Sequence, residues 1–171
     1  GGILNCELDG RQDYRLTPSY DGINFSSVTG ELHLFAVRDC YIHNFRRGYM
    51  GTSGTGGDQD NYFAHNIIAY NFIGVYAADH PEVMDSNDFR YNFYGISGLS
   101  SGSQAVYDLP VIGCKFVQNK YGIAPQPGGA AFNFMNIANC VFTRNEILDV
   151  EMGPQGSIEG CRFAPPTPYA I

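Results

Sequence analysis

The sequence contains no tryptophan, few cations and no long apolar run, and each shortage closes off a class of function. Ten Lys and Arg against 17 Asp and Glu leave a net charge of −7, and the only adjacent basic pair is Arg46-Arg47. A surface of that kind does not neutralise a run of phosphates, which argues against nucleic acid and anionic membranes as partners. No apolar stretch approaches the roughly 18 residues that a membrane-spanning helix needs, so no membrane insertion is expected. No window sustains a helical period of apolar residues, and no Cys-x-x-Cys or clustered Cys/His spacing points to a metal. The chain opens on Gly1-Gly2 with neither Met nor signal peptide, which reads as a trimmed or excised product. Its 171 residues suit a single domain spanning 1–171.

What is abundant points one way. There are 21 Gly, 12 Tyr and 12 Phe, a composition of short strands broken by turns. A repeat emerges when cysteines are used as anchors. Cys114, Asn66 and Asn87 each have an apolar residue two places later, Asn five later, Gly eight later and an aliphatic residue nine later. Cys40 fits with one shift, through Asn44, Gly48 and Tyr49, and Cys140 fits through Phe142 and Asn145. Cys6 and Cys161 keep only the strand part, Leu8 and Phe163. Three places before the seven anchors stand Ile3, Val37, Phe63, Met84, Val111, Ile137 and Ile158, all apolar. Just before the anchors stand Asn5, Asp39, His65, Ser86, Gly113, Asn139 and Gly160, mostly types that tolerate a bend.

The anchor spacings of 34, 26, 21, 27, 26 and 21 residues suit a coil of three short strands per turn with loops of variable length. The expected fold is all-β, a right-handed parallel β-helix of about seven rungs. Stacking at about 4.8 Å per rung sets like on like. The anchors form one internal column, the residues from Leu8 to Phe163 a second, and Asn71, Asn92, Asn119 and Asn145 a ladder at a turn. Gly48, Gly74, Gly95 and Gly122 read as tight turns into the next strand. The pattern resembles the parallel β-helix repeat of pectate-lyase-like proteins and phage tailspikes, over nearly the whole chain from Ile3 to Phe163.

Five cysteines sharing one register read as buried, inert thiols rather than as disulfides, because parallel in-register side chains are poorly aimed for a bond.

The resemblance implies a sugar groove across the outer face of the stacked strands, an extracellular, cell-surface or virion setting, and a polysaccharide partner. The loops 50–58, 97–104, 125–130 and 153–156 all follow the third strand of a rung and would flank one face. Seven places before the anchors stand His33, Gln59, His80, Tyr107 and Asn133, with Glu31, Asp60, Asp79, Glu82 and Asp108 beside them. Carboxylates and imidazoles in one stripe suit acid–base work on a sugar, with His80, Glu82, Asp79, Asp60 and Asp108 as catalytic candidates. His33, Tyr107, Asn133 and Tyr62 are the substrate-binding candidates, and Tyr76, Tyr94 and Tyr121 are further rings for sugar stacking. Asp79-His80-Pro81-Glu82 faintly resembles the Asp-Pro-His segment of mannuronan epimerases, with His and Pro exchanged. No cofactor is expected, although Asp58-Gln59-Asp60 in its Gly-rich loop offers a weak Ca²⁺ site. His43 and His65 read as turn residues with structural roles. The competing reading is a structural fibre, adhesin or shaft subunit without activity, a homotrimer or an end-to-end assembly. Such association would cover the open strand edges at the ends of a short rod.

Overall fold

The computed structural model describes residues 1–11, 20–25, 35–51, 61–77, 82–98, 109–127, 132, 135–153 and 155–164. Backbone geometry at two recurring corners cuts the chain into short strands. The residue before every anchor has a left-handed backbone: Asn5, Asp39, His65, Ser86, Gly113, Asn139 and Gly160 all have φ between 51° and 62°. A second left-handed corner falls four places after the anchor, at Asn44, Tyr70, Tyr91, Gln118 and Arg144. Asn, Asp and Gly tolerate this conformation, and at the other corners, as at His65, Ser86, Tyr70 and Gln118, the backbone N–H donates to a carbonyl of the next rung.

The first rung comprises β1 (Gly2–Leu4), β2 (Glu7–Asp9) and β3 (Asp21–Asn24), and the second β4 (Ala36–Arg38), β5 (Tyr41–His43) and β6 (Arg47–Met50). The third holds β7 (Asn61–Ala64), β8 (Ile67–Ala69) and β9 (Ile73–Ala77), and the fourth β10 (Glu82–Asp85), β11 (Asp88–Arg90) and β12 (Tyr94–Gly98). Then come β13 (Pro110–Ile112), β14 (Lys115–Val117) and β15 (Tyr121–Ile123), followed by β16 (Asn136–Ala138), β17 (Val141–Thr143) and β18 (Leu148–Val150). The seventh rung contributes β19 (Ser157–Glu159) and β20 (Arg162–Ala164). Strands of like position pair in parallel, giving sheets of seven, seven and six strands in rung order. This is a right-handed parallel β-helix of about seven rungs, and no helix occurs among the described residues.

The lumen is filled by columns. Val37, Phe63, Met84, Val111 and Ile137 line the first sheet, and Ile42, Ile68, Phe89, Phe116 and Phe142 the second, all fully buried. The rings of Phe89, Phe116, Phe142 and Phe163 stack at 4.8, 4.7 and 5.0 Å between centroids, the repeat of the sheet itself. Each fully buried ring contributes about 1.5–3 kcal/mol.

Gly48, Gly74, Gly95 and Gly122 are not turn residues. They lie within β6, β9, β12 and β15, and the positive-φ glycines among the described residues are Gly113 and Gly160. A Cβ on Gly95 would stand 2.5 Å from the Gly122 carbonyl oxygen and 3.0 Å from the Phe116 ring. The third sheet passes so close to the second column that no side chain fits between them.

The asparagine ladder comprises Asn71, Asn92, Asn119 and Asn145, as expected, and the one-residue shift at Asn44 has a structural cause. Asn44 turns the second corner of its rung, and the ladder position there is Phe45, whose N–H donates to Asn71 Oδ1 at 2.9 Å. From Asn71 onward the ladder is continuous. Asn71 N–H donates to Asn92 Oδ1, Asn92 to Asn119 and Asn119 to Asn145, at 2.9–3.0 Å. Each amide group also donates to a carbonyl of the rung before, as Asn92 does to Ile68 and Asn119 to Phe89.

Candidate functional site

The outer face of the first sheet carries a linked polar group. Phe63 and Met84 point into the lumen, so Tyr62, Ala64, Val83 and Asp85 alternate to the other face. Ala64 pairs in register with both Arg38 and Asp85 and is fully buried. Its small side chain lets longer neighbours close over it. The Tyr62 hydroxyl donates to Asp85 Oδ2 at 2.7 Å, and the Arg38 guanidinium lies 5.9 Å from the centre of the Tyr62 ring. Ser86, at the corner, donates its hydroxyl to Asp85 Oδ1 at 2.8 Å.

These donors fix the charge state. The Tyr62 hydrogen bond, then the Ser86 hydroxyl, hold the Asp85 carboxyl below the usual aspartate range against the opposing effect of burial, with the nearby His65 adding slightly. The bond to Asp85 and burial push the Tyr62 phenol up. At neutral pH the pair is therefore a neutral phenol on a carboxylate, with lone pairs of Asp85 left to accept further donors. An ionised, stabilised carboxylate binds hydroxyls well and is a poor proton donor.

A second cluster joins the first two rungs on the second sheet. His43 Nε2 lies 2.9 Å from Glu7 Oε1, and His43 Nδ1 lies 2.7 Å from the Asn44 amide nitrogen and 3.6 Å from Asp9 Oδ1. Asn44 also donates to Asp9 Oδ1 at 2.9 Å, and the Tyr41 ring stacks on the imidazole at 4.1 Å. The Asn44 bond, with the Arg11 backbone N–H, holds the Asp9 carboxyl below its ordinary range. His43 thus sits on β5, buried, with both ring nitrogens engaged. It acts as a buttress between Glu7 and Asn44 and has no atom left for a substrate.

The tyrosine candidates separate by burial. Tyr76 and Tyr94 are only 7% and 4% exposed, within a second apolar cluster that also holds Ile73, Phe72, Phe93 and Tyr121. Tyr94 stacks on Tyr121 at 4.8 Å, and Tyr76 lies 5.4 Å from the Arg47 guanidinium. Tyr76 and Tyr94 are packing residues, not sugar platforms, and Tyr121 has one face occupied. Tyr70 and Tyr91 are the more exposed pair, at 40% and 37%, stacked at 5.1 Å and 7°. Rings stacked along the helix axis turn their edges to solvent, which suits a ladder better than a sugar face.

Of the residues expected from sequence, Tyr62 is bonded as described. Glu82 begins β10 opposite Asn61, three residues before Asp85. His33, Asp60, Asp79, His80, Tyr107, Asp108 and Asn133 lie outside the described residues, as do Glu31, Asp58 and Gln59. His65 turns the first corner, as expected. Arg38, Asp85 and Ser86 fall outside the stripe seven places before the anchors. Arg38 and Asp85 stand two before their anchors, on the outward side of the strand whose inward residues were used to find the repeat. No group of three or more His, Cys, Asp or Glu among the described residues is arranged to hold a metal ion.

Compared with known proteins, the chain matches no family model, no curated protein and no solved structure.

Proposed function

We propose that this chain is a polysaccharide-binding or polysaccharide-processing β-helix module that takes its ligand along the outer face of the first sheet, in an extracellular, cell-surface or virion setting. The observation that carries the reading is the Arg38–Tyr62–Asp85 group: a half-covered aromatic ring, a guanidinium and a carboxylate with free lone pairs, spread over three consecutive rungs. Sugar hydroxyls are recognised by this combination of carboxylate and guanidinium hydrogen bonds around an aromatic edge. In sequence, Asp60, Asp79, His80, Tyr107 and Asp108 stand shortly before β7, β10 and β13 of this sheet. The likeness of the repeat to pectate-lyase-like proteins and tailspikes supports the same ligand class. Binding is the chemistry of the described group; any bond cleavage belongs to the stripe, with Glu82 and His80 as acid–base candidates.

Affinity electrophoresis against a panel of neutral and anionic polysaccharides tests the reading. Retardation of the wild type is expected, weakened about five- to tenfold by Tyr62→Phe or Asp85→Asn, the loss of one or two such bonds. Because the Asp85 carboxyl is depressed, binding should persist to pH values where an ordinary aspartate is already protonated, and fail only below them. A broad panel without retardation sinks the proposal.

A second reading, a shaft or fibre subunit, is favoured by Ile158 and Phe163 on the last described rung, which remain 44% and 47% exposed in line with the lumen columns. Sedimentation decides: a monomer at all concentrations removes it.

A further inference from the structure

We propose that Cys6 and Cys40 are a redox pair that closes into a disulfide when a small-molecule disulfide oxidises Cys6, clamping the first rung to the second. All five cysteines are free thiols, and the Cys6 and Cys40 sulfurs lie 3.3 Å apart. Their strands run in parallel and in register, Leu4 opposite Arg38 and Glu7 opposite Tyr41, with the Tyr41 N–H donating to the Cys6 carbonyl at 2.9 Å. Neighbouring parallel strands stand about 4.8 Å apart, inside the Cα range a disulfide accepts. Closing from 3.3 Å to the disulfide length of about 2 Å requires a rotation about each Cα–Cβ bond and a small approach of the two Cβ atoms. Cys40 gives up only its weak thiol bonds to the Ile3 and Arg38 carbonyls, at 3.6 and 3.1 Å.

The 3.3 Å sulfur contact, together with the partial exposure of Cys6, separates this pair from Cys114 and Cys140. Cys114 and Cys140 are fully buried in the middle of the stack. Cys140 meets Cys161 through its backbone N–H, at 3.4 Å from the Cys161 sulfur, while the Cys140 thiol is directed to the Val111 and Ala138 carbonyls. Cys6 is only partly buried and touches a buried partner sulfur, so an oxidant in solution meets Cys6 before Cys40. Burial, then the hydrogen bond to Cys40, push the Cys6 thiol up to about 11, so Cys6 rests as a thiol at neutral pH and exchanges faster as pH rises.

The reaction balances as two exchanges. The Cys6 sulfur, losing its proton, attacks one sulfur of the oxidant and releases the first small thiol. The Cys40 sulfur, losing its proton, attacks the Cys6 sulfur of that mixed disulfide and releases the second. Both protons leave on the two small thiols, and the two protein sulfurs are oxidised as the oxidant is reduced.

The test incubates the native full chain with oxidised glutathione, quenches with N-ethylmaleimide before unfolding, and maps the peptides by mass spectrometry. The expected product has two fewer alkylated thiols, a single Cys6–Cys40 cross-link and a higher melting temperature that dithiothreitol reverses. Cys6→Ser and Cys40→Ser each abolish the cross-link, and Cys161→Ser leaves it intact. Five thiols surviving, glutathione remaining on Cys6 as a stable adduct, or a cross-link joining Cys140 to Cys161 instead would each overturn the proposal. The wild-type map decides even where a variant fails to fold.

Discussion

A side chain at the anchor position has two obligations. It accepts the anchor N–H of the preceding rung and donates to a carbonyl three places before that anchor. Asn66 does both, accepting from Cys40 at 3.0 Å and donating to the Val37 carbonyl at 2.9 Å; Asn87 repeats the pattern with Asn66 and Phe63. Thiols do it more weakly, as Cys114 accepts from Asn87 at 3.4 Å and donates to Met84 at 3.6 Å. Asn and Cys interchange along the column because both are small and both donate and accept. Asn87→Ala should therefore leave the Asn66 N–H and the Phe63 carbonyl buried and unpaired, costing about 2–5 kcal/mol in urea unfolding. Asn87→Cys should cost about half of that; equal losses would show that the hydrogen bonds do not govern the column. The positions of these residues were legible in the sequence, but the reason for their mixture was not, since the partners are backbone groups 21 to 30 residues away.

Among the elements, the third strand differs from the other two. Its glycines suggest turns when read by type, yet the demand on them is proximity rather than conformation. Gly95 and Gly113 separate these demands. Gly113 has φ of +62° and nothing nearer a Cβ than Ser86 Oγ at 3.3 Å, whereas Gly95 would drive a Cβ to 2.5 Å from a backbone oxygen. Gly113→Ala should cost about 1–2 kcal/mol, the left-handed penalty of an ordinary residue, and Gly113→Asn less, as Asn5 and Asn139 hold equivalent corners. Gly95→Ala should cost more, about 3 kcal/mol or above, because a backbone carbonyl cannot swing aside. Thermal denaturation ranks the three, and an order with Gly113→Ala worst would contradict the close-approach account. The periodic apolar and anchor residues revealed the strands of the first two sheets. The second apolar cluster around Tyr94 was not legible, because the same tyrosines would serve equally well on an open face.

At the scale of the whole molecule, the solenoid has a gradient of burial from middle to ends. Ile68, Phe89 and Phe116 are wholly enclosed, Leu8 is only partly buried and Phe163 is half open. Amide exchange should be slowest in β8, β11 and β14 and fastest in β2 and β20, with rungs opening from the ends inward. Uniform protection would instead make the stack one cooperative unit. The repeat and its rung count were readable because stacking forces like residues into like positions. The polar face was only partly so: Tyr62 was found, and Asp85 and Arg38 were not, because solvent-facing positions carry no repeating type to mark them.

The ladder bonds also have a direction. In both polar columns the side chain reaches back toward the rung that precedes it in the chain, Asn66 to Val37 and Asn92 to Ile68. During synthesis, therefore, each rung leaves the ribosome with its corner N–H groups unanswered until the next rung arrives about 21 to 27 residues later. The nascent chain is fastened one coil behind its growing tip, so the fold has an order in time as well as in space.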